Sequence, residues 1–133
     1  MRDVLFRGKN EDGEWVEGWF EMYPFGCWPV KASIVPSEEA IDGHYHHVKV
    51  DPETVGQYTG VLDWNGKRIF EGDYISGSKY KGVVNFGTGC FCVKGRNYRS
   101  NPAIDIVINE DVVVVVGNIY DNPELLEVPD DDR

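Results

Sequence analysis

The sequence predicts an all-β protein, mainly β with minimal helix. Glycines and β-branched or aromatic residues recur along the whole 133-residue chain, and no window keeps apolar residues at helical spacing for three turns. The stretch VDPETVGQYTGVLDWNGKRIFEGDYI, residues 50–75, also supplies in order the turn residues for a capped turn, a hairpin and a corner. This length suits one domain or two small subdomains and buries a core without disulfide staples. The expected division is an N-terminal β subdomain over 1–57, a small β-barrel subdomain over 58–126, and a disordered acidic tail over 127–133.

Strands are expected near Val4 to Arg7 and Glu14 to Met22, joined by a turn at Asn10 to Gly13. Trp15 and Trp19 lie an even number of residues apart on the second strand, so they share a face, which is expected to be the core face. The apolar loop Tyr23 to Pro29 is too rich in proline for a central strand and reads as packing between subdomains. A strand near Lys31 to Val35 follows, then one turn at Ser37 to Ala40 capped by Ser37, then a strand near Tyr45 to Val50.

Asp51 reads as an N-cap, Pro52 as a first helical residue and Glu53 as a first-turn acid, with Gly56 closing the turn in a left-handed conformation. Strands at Tyr58 to Leu62 and Lys67 to Phe70 flank Asn65-Gly66, the pair that best tolerates the positive φ of a tight hairpin. Gly72-Asp73 breaks the chain before a strand at Asp73 to Ser76. Strands at Gly82 to Phe86 and Cys90 to Lys94 form a hairpin on Gly87-Thr88-Gly89. Strands at Ile104 to Ile108 and Val112 to Tyr120 form another on Asn109-Glu110-Asp111. Pro123 opens a last short turn, where Leu125 and Leu126 are expected to cover the open barrel end. The strand rhythm after Gly72 is that of a small SH3-like barrel, an analogy of pattern.

Three segments carry a resemblance. Val50 to Leu62, Asp63 to Asp73 and Val115 to Leu126 match a VDPETVGQYTGL-like stretch, a DxNGKxIxEGD stretch and a closing VxGNIYxNPELL. On these the chain resembles the YopX family of bacteriophage and prophage proteins. Met1-Arg2, Phe6-Arg7 and the run Gly13 to Gly18 also resemble the family's start. The resemblance implies a mostly β, phage-encoded protein of uncharacterised role, and it carries over no catalytic residue. The regions Cys27 to His47 and Tyr80 to Val112 match none of these stretches.

The formal charge of −10 argues against general affinity for nucleic acid or anionic membrane. Its distribution is uneven. Between Trp64 and Arg99 the basic residues Lys67, Arg68, Lys79, Lys81, Lys94, Arg96 and Arg99 face only Glu71 and Asp73. Lys94, Arg96, Tyr98 and Arg99 interleave cations with a ring, the chemistry of a surface that holds phosphate and stacks a base, although a solvated loop is the plainer reading. The acids Glu11, Asp12, Glu14, Glu17 and Glu21 near the first hairpin read as solubility rather than nucleic-acid mimicry. Trp64 sits in a turn where burial is hard, so it is expected to face a partner.

His44 and His46 would share one strand face, and Cys90 and Cys92 another, which are the makings of a metal site. Cys-x-Cys in a strand is not a zinc-knuckle spacing, so structural roles are the expectation for all four, with no metal and no cofactor. Gly87-Thr88-Gly89 lacks the third glycine or the lysine of a phosphate loop, and no nucleophile-elbow pattern occurs. An odd number of cysteines, no apolar leader at Met1 and a longest apolar run of Val112 to Val116 point to a soluble protein of the reducing cytoplasm. The expectation is a non-enzymatic phage accessory protein that binds an unknown protein of host or phage, with self-association as a natural way to cover sheet edges. A barrel that contacts nucleic acid through the basic patch stands second, and a metal-dependent enzyme around the histidines third.

Overall fold

A computed structural model of the chain describes residues 4–23, 31–36, 47–87, 89–95 and 101–126. The protein is mostly β, and among the described residues there are two antiparallel sheets and one short α-helix. Two compact units make it up, Met1–Tyr58 and Thr59–Arg133. The turn expected at Ser37 to Ala40, the Pro24 to Pro29 loop, His44, Tyr45, His46 and the 127–133 tail lie outside the described residues.

In the first unit, strands β1 (Phe6–Lys9), β2 (Trp15–Tyr23), β3 (Lys31–Pro36) and β4 (Val48–Val50) stand in the order β4-β3-β2-β1. The first residues of β5 (Gly56–Leu62) pair with β1, Phe6 opposite Gln57. Asn10 makes the first turn as its sequence promises: its Oδ1 accepts the Asp12 and Glu14 N–H groups, each at 2.9 Å, and Gly13 takes φ 79°. The core holds Ala32, Ile34 and Val50, with Val16, Phe20 and Val55 packed against them.

The tryptophans correct the sequence expectation. They share a strand face, but that face points away from this core, and Trp19 is 61% exposed. The inward face of β2 belongs to Val16, Gly18 and Phe20. Gly18 lies so close to β3 that an added Cβ would sit 1.9 Å from the Val35 carbonyl oxygen, which leaves no room for a large residue. Trp15 instead lies under the Arg7 guanidinium, 4.5 Å from ring centre to Cζ, and beside Lys9.

After β4, Asp51 caps a single 3₁₀ turn, Pro52–Thr54, accepting the Glu53 N–H at 3.0 Å. Thr54 Oγ1 ties the turn to β1 by accepting the Lys9 N–H at 2.9 Å. Gly56 does not close the turn as expected. Val55 ends it in extended backbone and Gly56 already belongs to β5, because the Thr54 and Asp51 contacts hold the chain without a left-handed cap. The positive φ comes later, at Gly60, inside β5.

In the second unit, the end of β5 neighbours β6 (Arg68–Phe70), and Thr59 Oγ1 donates to the Ile69 carbonyl at 2.8 Å. Strands β7 (Asp73–Ser76), β8 (Lys81–Gly87), β9 (Cys90–Lys94) and β10 (Val114–Asn118) form the second sheet in the order β10-β7-β8-β9. Gly72 turns the corner before β7 at φ 88°, and Asp73 Oδ2 accepts the Phe70 N–H across it at 2.8 Å. Ile69, Ile75, Val84, Val93, Ile104, Val107 and Val113 build the core. The described residues of this unit show a four-stranded sheet and the β5–β6 hairpin, and the closed barrel expected over 58–126 is not shown among them.

One element changes type. Ile104 to Ile108, expected as a strand, lies in helix α1 (Ile104–Glu110), so Asn109-Glu110-Asp111 ends a helix and does not join a hairpin. The β-branched residues misled the local reading. Their spacing puts Ile104, Val107 and Ile108 on one helical face against the core, where burial outweighs a weak intrinsic preference. Beyond β10, a 3₁₀ turn runs over Pro123–Leu126. Leu125 and Asn122 press on Gly117, where an added Cβ would lie 2.9 Å from Leu125 Cδ1.

Candidate functional site

The hairpin between β5 and β6 is built on Asp63. Its backbone N–H donates to the Lys67 carbonyl at 2.8 Å, its carbonyl accepts from Gly66 at 3.0 Å, and Gly66 takes φ 81°. Oδ1 of the same residue accepts the Asn65 and Lys67 N–H groups at 2.8 and 2.9 Å. Oδ2 reaches across to the Val115 N–H at 2.9 Å, and the Trp64 N–H donates to the Val113 carbonyl at 3.0 Å. A buried carboxylate thus fastens the hairpin tip to the chain entering β10.

On that fastened tip Trp64 is 72% exposed, and Leu62 and Val112 beside it are 48% and 54% exposed. With Ile108 and Val113 they line a shallow cavity of about 120 Å³. Apolar side chains held in solvent by a rigid frame are what a protein interface presents, with a large aromatic as its anchor.

The rim of this cavity is polar but internally satisfied. Asp111 accepts hydrogen bonds from the Lys79 N–H at 2.8 Å, the Tyr80 N–H at 2.9 Å and the Ser78 hydroxyl at 3.0 Å. Desolvation opposes ionisation of Asp111, yet these donors together, with the Val112 N–H, hold its carboxyl below the usual range. Glu110 is also held low, first by the Tyr80 hydroxyl and then by the Lys79 ammonium. In return, the hydrogen bond to Glu110 pushes both Lys79 and Tyr80 up. Asp63 and Asp111 are therefore committed to holding backbone, and their roles went unread in the sequence. Asp63 had a local signal, the Asp at the head of an Asp-x-Asn-Gly turn, whereas Asp111 had none.

Trp64 stands exposed as its turn position implies. Lys94 is exposed at the end of β9, while Arg96, Tyr98 and Arg99 lie outside the described residues. His47 Nδ1 is 3.4 Å from Glu21, and His44 and His46 are outside the described residues. The cysteines divide. Cys92 is buried at 3% exposure, as a structural core residue would be, but Cys90 is exposed, so the structural role expected of both is not a core role for Cys90. Their Sγ atoms lie 3.5 Å apart, and the Cys90 thiol is pushed up, first by the hydrogen bond with Cys92. Among the described residues no three His, Cys, Asp or Glu side chains gather as metal ligands. No helix among them is long and apolar enough to cross a membrane.

Comparison with known proteins finds a family and solved structures. The family described as "YopX protein" matches over residues 26–127. A solved structure, "Crystal structure of protein EF1440 from Enterococcus faecalis", superposes with a TM-score of 0.53 at 21% identity, covering 95% of this chain and 99% of that one. At that identity the likeness concerns the fold. No curated protein sequence matches.

Proposed function

The chain belongs to the YopX family, and from that premise we propose that it is a non-enzymatic phage or prophage accessory protein of the host cytoplasm that binds another protein. The observation that carries this reading is the apolar surface of Trp64, Leu62 and Val112 around a shallow cavity. None of the three belongs to the unit's core cluster or packs against it, and together they present apolar surface to solvent. The rim supports the same reading, because its carboxylates are occupied by backbone N–H groups and are not presented to a substrate.

The test is Trp64→Ala together with Leu62→Ser. Both residues are exposed, so the variants keep the melting temperature of the parent to within about 0.5 kcal/mol of stability. A protein retained from host lysate by the parent chain should be lost by the double variant and kept by a control at an exposed tryptophan of the first unit, Trp19→Ser. Sedimentation at several concentrations separates a foreign partner from a second copy of this chain. Equal retention by parent and double variant overturns the reading. Salt-dependent binding of single-stranded nucleic acid, lost on reversing Lys94, Arg96 and Arg99, would replace it with the basic-patch alternative.

A further inference from the structure

The β8–β9 hairpin gathers donor atoms that the Trp64 surface does not use. Cys90 and Cys92 alternate along β9, so both side chains leave one face of the sheet, and their Sγ atoms are 3.5 Å apart. Asn85 is the register partner of Cys92 on β8, so its amide leaves the same face beside that thiol. The Asn85 Oδ1 atom is buried and accepts no hydrogen bond. A buried acceptor without a donor is costly unless something positive stands against it. The Gly87 carbonyl adds a further oxygen, 3.5 Å from Cys92 Sγ.

We propose that Cys90, Cys92 and Asn85 form a binding site for a thiophilic divalent cation of the zinc class. With metal–sulfur bonds of about 2.3 Å, two sulfurs at the observed 3.5 Å subtend roughly 100° at the ion, and widening by about 0.3 Å makes the angle tetrahedral. The Asn85 amide supplies a third donor. The fourth position opens toward the exposed Cys90 side, where water or a ligand from another chain completes the shell. On binding, the cation forms two metal–sulfur bonds and the two thiols release two protons to solvent. Closing the pair into a disulfide instead is disfavoured by the ladder. Residues two apart in an extended strand have Cα atoms about 6.6–6.8 Å apart, at the upper end of disulfide geometry. The pair is therefore better placed to clamp an ion than to oxidise.

The full chain, reduced and stripped with chelator, should be titrated with Cd²⁺, which reports thiolate ligation by an ultraviolet charge-transfer band, and then with competing Zn²⁺. One ion per chain should bind, Zn²⁺ should displace it, and Zn²⁺ should raise the melting temperature. Cys90→Ser, at an exposed position, should fold normally but lose both the band and the thermal shift. Asn85→Leu should keep the band with affinity at least tenfold weaker. The absence of a saturable band, a band unchanged by Cys90→Ser, or undiminished affinity in Asn85→Leu overturns the site. So does conversion of the pair to a disulfide by oxidised glutathione in place of metal binding.

Discussion

Replacing Asp63 tests how the exposed hairpin is held. Asp63→Ala removes three hydrogen bonds to a carboxylate, from Asn65, Lys67 and Val115. Each such bond contributes about 1.5–3 kcal/mol when both partners are kept from water. Asn65 and Lys67 lie in an exposed turn, so their N–H groups recover most of this from solvent. The Val115 N–H is partly buried, so it recovers less of its lost bond from solvent. The net loss is therefore nearer one full bond than three, plus a loosened turn, or about 3 kcal/mol. For a chain of this size, roughly 4 °C per kcal/mol gives a fall of about 12 °C in melting temperature. Asp63→Asn should fall between the two, since its single amide oxygen serves either the turn or Val115 but not both. Thermal melts of the three proteins, with amide exchange at Val115, check the ordering. If Asp63→Ala melts within about 2 °C of the parent, the carboxylate does not anchor the tip and the rigid-frame argument for Trp64 fails.

Two further outcomes follow from the same unit. Asp111 and Glu110 are both held below their ordinary values, so the stability they contribute is complete above the unfolded carboxylate range near pH 4 and is lost as pH falls through the lowered values. Asp111→Asn should flatten the acid limb of melting temperature against pH, and parallel limbs would contradict this. Gly72→Ala forces a side chain into φ 88° with its Cβ 3.1 Å from Tyr120, whereas Gly66→Ala at φ 81° meets nothing within 4 Å. Both pay about 1–2 kcal/mol for the left-handed backbone, so chemical denaturation should find Gly72→Ala the less stable of the pair, and the reverse order would refute the crowding.

The sequence by itself determined the punctuation of the fold. Asn10 and Gly13, Asp51 and Pro52, Asn65 and Gly66, and Gly72 each act within four residues of themselves, through a side-chain cap or a positive φ. Their turns therefore stand where composition placed them. It also determined that Trp15 and Trp19 share a face and that Trp64 is exposed, since parity and turn position are local properties. Only the tertiary structure decided which face that was, because the approach of Val35 to Gly18 is a contact between strands. It turned Ile104 to Ile108 into a helix, because a seven-residue segment has no stability of its own and adopts whatever backbone buries Ile104 and Val107. The Trp64 surface and the Cys90, Cys92 and Asn85 cluster arise in the same way. Asp63 meets Val115 from 52 residues away, and Asn85 meets Cys92 only through strand register. Short-range sterics can be read from neighbours in the chain, whereas burial and site geometry depend on long-range pairing that no single segment encodes.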